Sequence, residues 1–275
     1  MRQTWTLTGQ QIDDFARNGV VCIRGAFADW VPALREAVDE VMARPRPSAR
    51  DHAAGKAGKF FHDADLWRDT DEVRELVFHS PAVDIARQLF GASRLQVYGD
   101  HLLVKEPASP TAVTPWHQDE PYLRAAGAQL ASIWIALDPV TIDTGAMRFV
   151  PGSHRWGKLF RPVRFATGEG FAADRFDETV PDIDGHPEQY PVVSYDLAPG
   201  DCTVHHIRTL HYAGGNRSAD TRRRAVVLRY AGESVRMTDT NPEALRAASG
   251  GQSGAELDRT EFPVVWEAET ANAAG

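Results

Sequence analysis

Cysteine is scarce in this chain: 275 residues contain only Cys22 and Cys202, far apart and in no CxxC pair. That argues against a disulfide framework, a cysteine-based zinc site and a thioredoxin-like redox motif. Each cysteine lies in an apolar stretch, VVCI or DCTV, as a small buried thiol would, and this usage fits a reducing cytoplasm. Lys/Arg-rich runs are also missing and the net charge is −8, which argues against a nucleic-acid partner and reads as solubility. No stretch approaches the about 18 consecutive apolar residues of a membrane span. The opening MRQTWTLTGQQIDDF has no apolar core of a secretion signal. No internal repeat is present. A soluble, cytoplasmic protein with neither nucleic acid nor membrane as partner is the expectation.

What is present is an ordinary globular composition, 43% hydrophobic and 25% charged, in a chain long enough to bury a core without disulfides. The length suits one β-barrel domain spanning 1–275. Thr8 and Gln11 have capping-box spacing, Ile12 and Phe15 give a short apolar face, and Gly19 stops the helix. VVCIRGAF reads as a strand. Trp30, Leu34, Ala37, Val38 and Val41 fall on one helical face, ended by Pro45 and Pro47. The Gly-, Ala- and charge-rich segment Ser48 to Lys59 reads as a mobile loop. Ser80-Pro81 opens a further helix that runs to about Phe90, with Gly91 at its end.

From Leu95 the texture changes. LQVYGDHLLVK, ASIWIALDPV, AMRFVPG, PVVSYDL, DCTVHH and RRAVVLRYAG are short, rich in Val, Ile and Leu, and separated by turn residues. Helices over about 8–91 followed by strands over about 95–235 suggest a mainly β fold, an antiparallel barrel or sandwich with helices outside. The polar stretch Arg155 to Tyr190 is long enough to be a functional lid. A tail over about 245–275 contains a flexible connection, Ala247 to Gly254, and a last short strand, FPVVW.

The chemistry centres on TPWHQDEPY. On a strand, positions i and i+2 share a face, so His117 and Asp119 can reach one ion together. LHYAGGN offers His211 as a third ligand, although His205 and His206 compete for the place. Two histidines and one carboxylate that leave positions open are the facial arrangement of non-haem iron(II) oxygenases. Alone, HxD is a weak signal in a chain with ten histidines.

The ordered set WHQDEPY, SIWIALDPVTIDTGAMRFVPGSH, PGDCTVHHIRTLHYAGGNRS and RRAVVLRY resembles the phytanoyl-CoA dioxygenase family, firmly over Leu95 to Gly232. The resemblance implies a double-stranded β-helix (a jelly-roll, cupin-like barrel) that binds Fe(II) and the cosubstrate 2-oxoglutarate, uses O2, and oxidises a small organic substrate with release of succinate and CO2. It assigns the metal to His117, Asp119 and His211, the last as the histidine of LHxxGxN. His205 and His206 then pack near the barrel mouth. A cupin-like metal-binding protein without oxygenase activity is the other reading.

The far carboxylate of 2-oxoglutarate would need a buried cation, and an arginine fork suits it. The family's interval from His211 selects Arg222, whereas its Arg–basic–Ala run selects Arg223, followed here by Arg224 and Ala225. Strands keep register while loops absorb insertions, so Arg223 is preferred. Trp134 resembles the family tryptophan near the cosubstrate, and a core tryptophan fits the position equally. Lys59 is a second possible carboxylate contact. His154 reads as holding a turn by hydrogen bonds, and Tyr122, His62, His101 and Trp116 are pocket candidates by proximity to the motif.

Overall fold

The computed structural model describes residues 4–165, 169–170, 176, 178–238 and 252–269. Four α-helices are described, α1 Gly9–Asn18, α2 Val31–Ala43, α3 Asp71–His79 and α4 Ala82–Phe90. The strands are β1 Val20–Ile23, β2 Arg50–Asp51, β3 Phe60–Ala64, β4 Arg94–Lys105, β5 Thr114–His117, β6 Ala125–Ala126 and β7 Leu130–Ala136. They continue with β8 Met147–Phe149, β9 Val193–Ser194, β10 Cys202–His206, β11 His211–Ala213, β12 Arg223–Gly232, β13 Arg236–Met237 and β14 Val264–Glu267.

Local signals set the helix ends. Thr8 and Gln11 form the reciprocal capping box, and Gly19 closes α1 at φ +71°. A Cβ on Gly19 would stand 2.3 Å from His154 Nδ1, so the turn needs glycine for space as well as for its left-handed backbone. Ser80 Oγ accepts from the Ala82 amide at the start of α4, and Gly91 ends that helix in the left-handed region. Helix α3 and strands β3, β6 and β13 lie where composition and periodicity announce no element. The segment expected as a mobile loop begins instead as edge strand β2, paired with β3, and Asp51 Oδ1 accepts from the Ala53 and Phe60 amides. The connection expected over Ala247 to Gly254 lies mostly outside the described residues.

The large antiparallel sheet runs β1-β10-β7-β12-β4-β3-β2, with β14 also on β4; the smaller runs β5-β11-β8-β9, and β6 pairs with β13. Alternation in the central strands makes two cores. Ile133, Ile135, Val226, Leu228 and Tyr230 pack with Leu34, Leu76 and Ile85 of the helices. The opposite parity sends Trp134, Ala136, Ala225 and Val227 against Met147 and Phe149 of the small sheet. The helices thus cover one face of the large sheet, and the other face, closed by the small sheet, makes the barrel interior. This is the expected jelly roll with flanking N-terminal helices. Among the described residues, no helix is long and apolar enough to cross a membrane.

Candidate active site

His117 and His211 are cross-strand partners on β5 and β11. Asp119 is not on the strand: β5 ends at His117, and Asp119 has helical dihedrals at the head of a short turn. Asp119 therefore approaches His117 from a turn and not from a shared strand face. The turn is anchored by the Asp119 and Glu120 amides, both donating to the Ile207 carbonyl, at 2.8 and 3.0 Å. All three side chains are buried, and one ligand atom from each lies within 4.8 Å of the others.

Each ligand is oriented by a second contact. His117 Nδ1 donates to the Pro115 carbonyl at 2.8 Å and His211 Nδ1 to that of Thr209 at 2.9 Å. A carbonyl only accepts, so both rings carry a proton on Nδ1 and turn Nε2, the atom free to ligate, inward. Those Nε2 atoms stand 3.6 and 3.7 Å from Asp119 Oδ1. Asp119 Oδ2 accepts from Ser132 Oγ at 2.7 Å and from Arg229 Nη2 at 2.9 Å, leaving Oδ1 for a cation. Burial alone would push this carboxyl up, but the Arg229 guanidinium and the facing imidazoles outweigh it and hold it well below the usual carboxylate range. Two imidazoles and one carboxylate, preset and converging, fit a divalent metal.

His205 does more than pack near the mouth. Its Nε2 lies 3.5 Å from Asp119 Oδ2, and its ring lies 4.5 Å from that of His211. His206 has the opposite strand parity, accepting from the Arg208 amide and packing on His154. His154 does not hold its turn through Nδ1, which is buried without a partner among the described residues. Ser153 holds it, bonding the Val150 carbonyl and accepting from the Leu210 amide.

A cavity of about 870 Å³ opens over the ligands, lined also by Tyr122, His62 and His101. Arg223 projects into it: the side chain is fully buried, and its Nε and Nη1 have no partner among the described residues. Its guanidinium stands 5.3 Å from the centre of the Trp134 ring. Burial lowers its pKa to about 10, so it remains a cation at neutral pH. Arg222 pairs outside with Glu106 and Asp39, and Arg224 with Asp138 and Asp39. Lys59 is exposed and does not line the cavity. Trp116 is bound to Asp184 and likewise lies off the lining. From the segment expected as a lid, of which 166–168, 171–175 and 177 lie outside the described residues, Phe165 packs on the His117 ring at 4.8 Å. Tyr122 Oη donates to the Val163 carbonyl and accepts from its amide.

Sequence reasoning missed Ser132, Arg229 and Phe165. The only signal for Arg229 was its parity with Arg223 on one inward-facing strand.

Buried neutral histidines make stability pH-dependent. Burial, chiefly, lowers His62 and His206 to about 3. An unfolded histidine titrates near 6.5, so below that pH the unfolded chain binds protons that the native one refuses. Stability is fully present above about pH 6.5 and lost as pH falls. For this pair, the expected loss between about pH 6.5 and 5 is about 3 kcal/mol. Denaturant titrations of metal-free protein at both pH values check this, and a His206→Gln variant should lose about half as much.

A jelly roll with a buried two-histidine, one-carboxylate cluster facing a cavity defines a protein built to hold a metal with coordination positions left open. The chain belongs to the phytanoyl-CoA dioxygenase family, whose model matches residues 15–225. It is 30% identical over 164 residues to the "Probable alpha-ketoglutarate-dependent hypophosphite dioxygenase" of Stutzerimonas stutzeri, covering 58% of this chain and 53% of that one. The chain thus spans about half the length of the curated relatives it matches first. Solved structures align over nearly the whole chain. The non-heme alpha ketoglutarate dependent carbocyclase SnoK from nogalamycin biosynthesis superposes with a TM-score of 0.74 at 27% identity, covering 95% of this chain and 97% of that one. The epimerase SnoN, in complex with Fe3+, alpha ketoglutarate and nogalamycin RO, superposes with 0.72 at 25% identity, covering 94% and 98%.

Proposed function

We propose that this protein is an Fe(II)/2-oxoglutarate-dependent dioxygenase that hydroxylates a small organic metabolite in natural-product biosynthesis. The observation that carries it is the pairing, in one cavity, of three converging ligand atoms with a buried arginine whose Nε and Nη1 have no partner among the described residues. His117, Asp119 and His211 would hold the iron. Bound there with 2-oxoglutarate and O2, the metal supplies oxidation of an unactivated C–H bond, coupled to decarboxylation of the cosubstrate to succinate and CO2.

The chain's own residues do the rest. Arg223, over Trp134, binds the distal carboxylate of 2-oxoglutarate through its planar fork. Arg229 and Ser132 hold Asp119 ionised and in one rotamer. Phe165 and Tyr122 wall off the ligands from water on the side of the polar segment. The volume suits the cosubstrate together with a second small molecule. Neighbours named as a carbocyclase and an epimerase support the small-molecule setting. Asp119 occupies the ligand place that a halide would need, so the reading is oxygenation and not halogenation.

The test is succinate formation by purified protein with Fe(II), 2-oxoglutarate and O2 over a panel of small metabolites, with products weighed by mass spectrometry. Substrate-stimulated succinate with a product one oxygen atom heavier is expected. Stimulation with a product lacking two hydrogens, or with unchanged mass, would keep the oxygenase and replace hydroxylation. Iron binding without any 2-oxoglutarate consumption would leave a metal-containing binding protein.

A further inference from the structure

A row of polar side chains crosses the inner face of the large sheet, one from each of six adjacent strands or strand ends: His205 on β10, Ser132 on β7, Arg229 on β12, His101 on β4, His62 on β3 and His52 just past β2. The first three meet at Asp119 Oδ2. The others lead away from it. Arg229 Nη1 bonds His101 Nε2, His101 Nδ1 meets His62 Nε2 at 2.9 Å, and His62 Nδ1 meets His52 Nε2 at 3.0 Å. The His62 and His101 rings are nearly parallel at 6°, those of His52 and His62 at 24°.

The direction of this chain is dictated from the metal end. A guanidinium has only donors, so His101 Nε2 must accept, and a neutral ring then carries its proton on Nδ1. That proton goes to His62 Nε2, and the same step passes along to His52. The outcome is an Nδ1–H on His52, for which the structure gives no hydrogen-bond partner among the described residues. Burial favours the neutral form in all three rings, lowering His101 well below its ordinary value, His62 to about 3 and His52 in the same direction. His52 lines the cavity and meets Phe165 edge-on at 5.9 Å, the same ring that packs on ligand His117. Hydrogen bonds in series polarise one another in a low-dielectric interior, so the terminal donor is stronger than that of an isolated imidazole. An apolar row would hold these strands at least as well.

We infer that the row is a polarised relay that locks His52 as a substrate-facing donor, so that the substrate is oriented by an oxygen acceptor, a carbonyl, hydroxyl or ether, set against His52 Nδ1. His52 is then a specificity-determining residue, and His62 and His101 are positioning residues. The assignment rests on the oxygenase reading only in making the owner of that oxygen a substrate; the relay itself is read without turnover.

The experiment uses histidine-15N-labelled protein loaded with 2-oxoglutarate and with zinc, a diamagnetic stand-in for iron(II), followed by long-range 1H–15N correlation. All three histidines are expected as neutral Nδ1–H tautomers. His101→Phe should release His62 and His52 from that tautomer. His101→Gln, whose amide accepts from Arg229 and donates to His62, should retain it, and still reports on the relay if the Phe variant does not fold. Cyclohexanone, as acceptor probe, should shift the His52 Nδ1–H signal, and methylenecyclohexane, of the same shape without the oxygen, should not. Nε2–H tautomers in the wild type, tautomers unmoved in His101→Phe, or the same response of His52 to both probes would overturn the proposal. Locked tautomers in a protein that never turns over 2-oxoglutarate would sink the oxygenase reading alone.

Discussion

His211→Ala is expected to abolish succinate formation, at least about 100-fold, and to lower iron content in proportion, with far-UV circular dichroism unchanged. Loss of a mere orienting partner around a metal costs about 10–100-fold, so loss of a ligand should exceed that. Among the described residues the ring makes no long-range hydrogen bond that the fold depends on: its Nδ1 bonds the carbonyl of Thr209, two residues away, and its Nε2 faces Asp119. Removing it leaves β11 paired on both edges through its backbone. His206→Ala is the matched control, a buried histidine one strand away whose side chain faces His154 and away from the ligands. His205→Ala is the sharper comparison because that ring touches the same carboxylate. If iron follows His205 and ignores His211, the ligand set is His117, Asp119 and His205.

The parts of the site legible in the sequence were those that lie within a few residues of each other or repeat with strand parity. HxD and LHYAGGN are local strings, and the alternation of RRAVVLRYAG fixed which arginines turn inward once its phase was chosen. Arg223, Ala225 and Val227 face the interior together because they are two residues apart, and the same count reaches Arg229. Contacts between strands were illegible, because they depend on register, which sequence leaves open when both faces of a strand are apolar. Ser132 meets Arg229 because β7 and β12 pair at those residues, 97 apart in sequence. His52, His62 and His101 come from three strands or strand ends, the first belonging to a segment that reads as a loop by composition. Asp119 left its strand for the opposite reason: its turn is fixed by a distant carbonyl, that of Ile207, which no local pattern announces.

Arg223→Leu is expected to raise the KM for 2-oxoglutarate by two orders of magnitude or more while leaving iron affinity nearly unchanged. The cosubstrate's distal carboxylate would enter a buried place and lose its cation, a deficit of roughly 3–5 kcal/mol, at about 1.4 kcal/mol for each tenfold. Arg222→Leu should have a small effect, since that side chain is held outside by Glu106 and Asp39. Arg223→Lys should fall between wild type and Leu, because an ammonium keeps the charge but not the planar fork. A second readout moves the other way. Without cosubstrate, the wild-type chain keeps a fully buried guanidinium whose Nε and Nη1 have no partner among the described residues, so the leucine variant should melt at a higher temperature than wild type. Adding 2-oxoglutarate to the metal-loaded proteins should reverse that order, because ligand stabilises only the form that binds it. A residue kept for packing over Trp134 would show a lower melting temperature in Arg223→Leu under both conditions. Equal, small KM changes in the Arg222 and Arg223 variants would place the carboxylate elsewhere in the cavity.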